Sequence, residues 1–267
     1  MSLPIIFDGL DLNDGETYVV SNFTQSVGTR DMDLITIPGR DGAVVGQNTM
    51  RPTVFSFDIV IGGATVAERD QNLRNLFGTT IGGVFHGVLS SESECELVIT
   101  ESDTSARHYQ ALPTGGEVTR FADGLTISGV TLTCPDPTYT DGETRTATGT
   151  ESVTLEYEGN AETSLFITIE GTFSSDGHFG FEWESGGKTG VLTAAAPYGG
   201  LAATMTVDTG RRYASITIGQ LPEPVAITPT LQTTWPDIEF GTVQIRQGTG
   251  IGTITAITVE YVARWYG

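Results

Sequence analysis

The sequence predicts a mostly β protein: an N-terminal β-sandwich with one short helix, followed by a second, C-terminal β-sandwich. Three observations lead there. Short apolar or β-branched runs alternate in period 2 and are closed by Gly, Pro or Asp. Charged residues are only 17% of the chain, below the usual ~25%, while Thr and Gly are abundant, which suits half-buried strands and turns. Only one segment has a helical period. At 267 residues the chain is long enough to bury roughly three-quarters of its unfolded surface in two cores.

Taken in order, strands are expected at Leu34 to Ile37 before Pro38-Gly39, at Thr53 to Ile61 before Gly62-Gly63, and at Leu125 to Thr133 before Pro135. Thr65 to Phe77 breaks the rule. It places Val66, Leu73 and Leu76/Phe77 at helical spacing, Thr65 and Glu68 form an S/T-x-x-E capping box, and Gly78 supplies a stop. Its apolar stripe should cover one end of a sheet. Further strands follow at Ser152 to Tyr157, Ser164 to Glu170, Phe179 to Glu184, Ala202 to Val207, Tyr213 to Ile218, Asp237 to Gln244 and Thr253 to Trp265. Between Cys134 and Ser152, Pro, Gly, Thr and Asp crowd and apolar periodicity lapses. The expected division is therefore a domain over 1–138, a linker over 139–150 and a domain over 151–267.

The net charge is −20, with 13 basic residues against 33 acidic ones. The excess is shared between the halves: residues 1–140 hold 7 basic and 18 acidic residues, residues 141–267 hold 6 and 15. It therefore belongs to folded surface and not to an acidic tail. A DNA-, RNA- or anionic-membrane-binding surface needs clustered cations, which this composition does not supply. No apolar run approaches a membrane span, and the N-terminus lacks the basic and apolar regions of a secretory signal. Cys95 and Cys134 are too few for a disulfide scaffold.

Catalytic signatures are sparse. No G-x-S-x-G, Walker-type or H-E-x-x-H pattern occurs, and Gly248, Gly250 and Gly252 have the wrong spacing for a dinucleotide site. His86, His108 and His178 are too dispersed for a zinc centre, and Asp8 to Glu16 fails the register of a calcium loop. No metal or cofactor is expected. The most enzyme-like feature is Glu182 and Glu184, about 7 Å apart on one strand face, a separation within the range glycosidases use. With Phe179, Phe181 and Trp183 on the opposite face, the strand reads better as a core stripe under a solvated face. Trp183, Trp235, Trp265, Tyr198 and Tyr213 could stack sugar rings, with Trp183 and Trp235 the leading pair for a glycan-binding module.

The first half carries a more specific pattern. Residues 35–61, ITIPGRDGAVVGQNTMRPTVFSFDIVI, precede the capped helix, and GLTISGVTLTCPDPTYTDG follows at 124–142. With Asp8-Gly9-Leu10-Asp11-Leu12 as the opening and Pro38-Gly39-Arg40-Asp41-Gly42 as the turn, the order resembles the phage distal tail protein family over the first ~140 residues. Gly159 to Thr163 leading into Leu165 to Ile169 resembles the opening of that family's C-terminal galectin-like sandwich.

The resemblance implies a structural virion protein without catalytic activity, a homo-hexameric ring at the tip of a long non-contractile tail. Its partners would be the tail tube protein and tail-tip, tape-measure or receptor-binding proteins, and it would be assembled in the host cytoplasm. The residues add physical detail. Proline presets φ and Asp41-Gly42 accepts a positive-φ turn, so the flanking strands can form a long hairpin arm. Arg40 and Arg51, scarce cations in an acidic chain, suit either a local salt bridge at the turn or pairing across a subunit contact. Arg40, Asp41, Gly42 and Arg51 are therefore the candidate interface residues.

Overall fold

The structure, a computed structural model, describes residues 3–26, 30–36, 43–77, 80–81, 84–85, 88–100, 105–121, 124–195, 199–219, 225–226, 230–231 and 241–266. The chain is mostly β with one α-helix among those residues, and it divides into two compact units, 1–142 with 266–267, and 143–265.

In the first unit the strands are β1 (Ile5–Phe7), β2 (Leu10–Asp11), β3 (Tyr18–Ser26), β4 (Arg30–Thr36), β5 (Ala43–Met50), β6 (Thr53–Ile61), β7 (Thr80–Ile81), β8 (Val84–Phe85), β9 (Cys95–Thr100), β10 (Ala106–Phe121) and β11 (Gly124–Cys134), with helix α1 (Val66–Phe77). β12 (Thr138–Gly149) follows. One sheet runs β3-β6-β11-β10, the other β2-β1-β9-β10. β10 serves both. Its first part, Ala106 to Ala111, pairs with β9, and the part from Leu112 to Phe121 pairs with β11, with register shifts at Pro113/Gly115 and Gly115/Glu117. A bulged strand that changes sheets is how the corner of a β-sandwich is turned.

The alternation in β6 sends Thr53, Phe55, Phe57, Ile59 and Ile61 inward, all buried. They meet Phe7, Leu97, Ile99 and Tyr109 from the other sheet in one core, where the Phe55 and Tyr109 rings lie edge-on at 5.0 Å. Helix α1 begins as its capping box dictates. The Glu68 N–H donates to Thr65 Oγ1 at 3.2 Å, and Glu68 Oε2 accepts from the Thr65 and Ala64 N–H groups at 3.1 and 2.8 Å. Leu76 is buried and Leu73 and Phe77 pack against the core, but Val66 is 65% exposed. At the first helical position it lies before the turn that rests on the sheet, so the stripe is shorter than its spacing suggests.

Before β3, an Asp/Asn-rich loop is held by side chains. Asp8 and Gly9, at φ 49° and 78°, close the two-residue β1–β2 hairpin, as a turn with positive φ at both central positions requires. Asn13 is buried and donates from Nδ2 to Leu3 O at 2.7 Å, while its Oδ1 accepts from Val20 N at 3.0 Å. Asp14 Oδ1 accepts from the N–H groups of Glu16, Thr17 and Tyr18 at 2.9, 2.7 and 2.9 Å. Burial raises the Asp14 pKa, but the backbone hydrogen bonds outweigh it and hold the carboxyl below its ordinary value.

The second unit contains β13 (Ser152–Tyr157), β14 (Leu165–Thr172), β15 (His178–Ser185), β16 (Lys188–Ala195), β17 (Ala202–Asp208), β18 (Tyr213–Ile218), β19 (Val225–Ala226), β20 (Thr230–Leu231), β21 (Gly241–Arg246) and β22 (Thr253–Tyr266). One sheet is ordered β19-β18-β17-β14-β22, with β12 beside β22, and the other is β13-β21-β15-β16-β20. Their facing sides share a core that includes Phe179, Phe181, Trp183, Ile167, Ile169, Val207 and Ile257, which makes a second sandwich. The 139–150 segment makes up most of β12, and the division between the two units falls within it, between Gly142 and Glu143. Its alternate threonines have the β-branched stiffness of a strand without the apolar signal that periodicity detects.

The chain enters β14 through a fixed corner. Tyr157 Oη donates to Ala161 O at 2.5 Å and accepts from Arg264 N at 3.0 Å, while the Asn160 and Ala161 N–H groups donate to Arg264 O at 3.1 Å each. A Cβ on Gly159 would collide with the Tyr157 hydroxyl and the Arg264 carbonyl oxygen.

Two outcomes follow. Gly159→Ala should lower stability by about 1–3 kcal/mol through overpacking, read as a fall in the denaturation midpoint. For Asp14, a folded pKa below the unfolded one means its carboxylate stabilises the fold at neutral pH, an effect lost as pH falls through the folded value. Asp14→Asn should therefore be less stable than the parent at pH 7, with the gap closing below about pH 4 in urea titrations.

Candidate assembly surface

Between β3 and β6 the chain leaves the sheet. β3 pairs with β6 as far as Ser26↔Val54, and between them β4 and β5 form an antiparallel ribbon, paired from Arg30↔Met50 to Thr36↔Ala43. Among the described residues this ribbon has no third strand. A two-stranded ribbon alone is at best marginally stable in water, and both outer edges offer backbone N–H and C=O groups to a further strand. Arg51 stands exposed at its root. Arg40, Asp41 and Gly42, the other candidate interface residues, lie outside the described residues.

The sheet beneath the ribbon is unusual for so acidic a chain. Across β3 and β6 the single charged residue is Asp58. On the outward face Val19 and Val60 are cross-strand partners, 38% and 40% exposed, and Thr24 faces Ser56. Asp58 itself is engaged by irregularities in both neighbouring strands. It accepts from Asn22 Nδ2 at 2.6 Å and from Gly129 N at 2.8 Å, where β3 and β11 are each bulged. The Asn22 bond first, and the Gly129 bond second, hold its carboxyl below the ordinary range. Sequence reasoning missed Asp58; its signal is a lone acid at an outward position of a strand whose other outward positions are Val and Ser.

The enzyme-like motifs resolve into structure. Phe179, Phe181 and Trp183 are buried, while Glu182 and Glu184 lie on the solvent side of β15. Glu182 accepts from Arg246 Nε and from Thr249 N, each at 3.4 Å. Trp183 is 3% exposed, which corrects its assignment as a sugar-stacking residue: strand alternation turns its ring into the core. Trp235 lies outside the described residues, as do Tyr198 and His86. His108 Nδ1 is 2.8 Å from Glu96 Oε1, and His178 is exposed. Among the described residues no group of three His, Cys, Asp or Glu side chains is placed to hold a metal ion.

Both cysteines are free thiols, Cys95 half-buried and Cys134 buried. Burial, and then the Asp136 and Glu94 carboxylates, push the Cys134 thiol up to about 12.

These features define a class: a two-unit β-sandwich protein whose open surfaces are a two-stranded ribbon and a charge-poor sheet. Comparison with solved structures gives the fold a counterpart. The chain has the fold of the SPP1 Dit (gp 19.1) protein, described as a paradigm of the hub adsorption apparatus in Gram-positive-infecting phages, with a TM-score of 0.69 and 18% identity over 99% of each chain. A chain of the phage P2 baseplate in its activated conformation with Ca aligns with a TM-score of 0.46 and 9% identity, over 99% of this chain and 98% of that one. No family model and no curated protein sequence matches the chain.

Alkylation should separate the two thiols. In the native protein at pH 8 one adduct is expected, at Cys95, with Cys134 reacting only after denaturation; intact-mass measurement before and after urea distinguishes them.

Proposed function

We propose that this chain is a structural, non-enzymatic virion protein at the distal end of a long non-contractile phage tail. Copies form a ring, six in number, that joins the tail tube to the tail-tip or receptor-binding apparatus and lets DNA pass. The observation that carries this reading is the end-to-end likeness of both units to the SPP1 hub protein. A short shared motif would be weaker support, because fold alone hosts many functions.

The physical features agree with it. A β4–β5 ribbon with open edges is suited to pairing with a neighbouring copy, since identical chains related by rotation close a ring when each contributes one surface to the next. The face of β3 and β6, where Asp58 is the single charge and is held by Asn22 and Gly129, offers a contact that brings few like charges together. Arg40 and Arg51 would meet acidic groups of the adjacent copy. Carboxylates lining the opening would repel phosphates, so a genome passes without sticking.

The test is native mass measurement with negative-stain imaging. A ring whose mass is six times 28.4 kDa is expected, reduced to monomer when residues 30–50 are replaced by a short Gly-Ser loop and weakened by Arg40→Ala or Arg51→Ala. A monomer at high micromolar concentration with the ribbon intact would remove the proposal.

A further inference from the structure

One row on the outer face of the second unit departs from its surroundings. On β14 the buried residues are Leu165, Ile167 and Ile169, so Phe166 stands on the solvent side and is 42% exposed. Register places Glu260 of β22 on one side of it and Asp208 of β17 on the other. Asp208 in turn faces Tyr213 of β18, which is 51% exposed. Four adjacent strands thus present Glu260, Phe166, Asp208 and Tyr213 in line. Two residues further along, the corresponding row is Thr258, Thr168, Thr206 and Ser215, hydroxyls throughout.

The same sheet end holds a cleft of about 200 Å³ whose lining includes Glu162, Ser164, Thr209, Gly210, Arg212 and Arg264. It adjoins the row along the chain: Ser164 lies two residues before Phe166, Thr209 follows Asp208, and Arg212 precedes Tyr213. The connecting turn is fixed. Arg211 N donates to Asp208 Oδ1 at 3.0 Å and Arg212 N to Thr209 O at 3.2 Å. Arg212 sits at φ 51° in this turn, in the left-handed region that few residues with a side chain adopt. Arg211 pairs with Asp208 at 3.5 Å, whereas among the described residues the Arg212 guanidinium makes no ion pair or hydrogen bond.

We propose that this sheet end binds an uncharged oligosaccharide, with sugar rings stacked on Phe166 and Tyr213. Aromatic faces are electron-rich and suit the C–H face of a pyranose. The two rings are carried two strands apart, about 10 Å, so alternate sugars of an extended glycan meet them. Between and beside them the Asp208 and Glu260 carboxylates accept hydroxyl protons, and Arg212 donates. Two carboxylates in the row, on a chain of net −20, disfavour polyanions. The hydroxyl row denies a protein partner the contiguous apolar area it would bury. Tyrosine and phenylalanine on a paired strand also lose little conformational freedom on binding. This site is distinct from Trp183 and does not require a ring.

The intact chain is applied to an array holding neutral, sulfated and phosphorylated glycans, and the best ligand is titrated against variants. Retention of neutral oligosaccharides is expected. Phe166→Ala and Tyr213→Ala should each weaken affinity about 5–10-fold, and the double variant should fall below detection with an unchanged melting temperature, since both side chains are exposed. The chain lacking its 30–50 ribbon should bind as the parent does, which separates this result from the fate of the ring. The proposal is overturned by retention of no glycan or only of anionic ones, or by unaltered affinity in the double variant. It is equally overturned if the double variant loses a protein partner while no glycan binds.

Discussion

The first unit depends on one strand belonging to two sheets. β10 is hydrogen-bonded to β9 over its first residues and to β11 over the rest, so the two layers are joined by continuous backbone at the corner. Tyr109 from one side of that corner meets Phe55 from the other layer. β6, β11 and β3 are stacked outward from this strand, and the ribbon springs from the far edge of that stack. Each outward placement is fixed by an inward one, because a strand cannot bury its odd positions without exposing its even ones.

That constraint explains which parts of the fold were legible. Thr53–Ile61, Ser152–Tyr157 and Tyr213–Ile218 occur with the bounds that alternation gives, because each is half-buried and closed by turn residues. The helix start follows from Thr65 and Glu68. β12 was not legible, since threonine satisfies the backbone preference of a strand without filling a core. Pro113, Gly115 and Gly116 interrupt β10 with the residues that usually end a strand, and here they mark the place where it changes sheets.

Side-chain roles were less visible than strands. Trp183 carries the size expected of a ligand platform, yet its parity with Phe179 and Phe181 commits it to the core. Phe166 has the opposite parity to Leu165 and Ile167, and that mismatch is the readable sign of an exposed aromatic. Asp58 could not be ranked among 33 acids because its significance comes from bulges in two strands distant in sequence. Arg51 at the root of the ribbon shares this difficulty, since an interface is defined by what another chain brings to it.

The position of β22 sets a timetable. It lies between β14 and β12, and Arg264 within it both donates to Tyr157 and accepts from the backbone at residues 160 and 161. A polypeptide emerging from the ribosome at roughly 5–20 residues per second therefore carries β14, β17 and β18 for several seconds without the strand that joins β14 to β12. Local hairpins such as β4–β5 and β15–β16 close within about 10 microseconds, but the second sandwich waits for its final strand. A nonsense mutation before residue 253 would leave β14 without its β22 neighbour and Tyr157 without its Arg264 partner, an unpaired strand edge prone to aggregation.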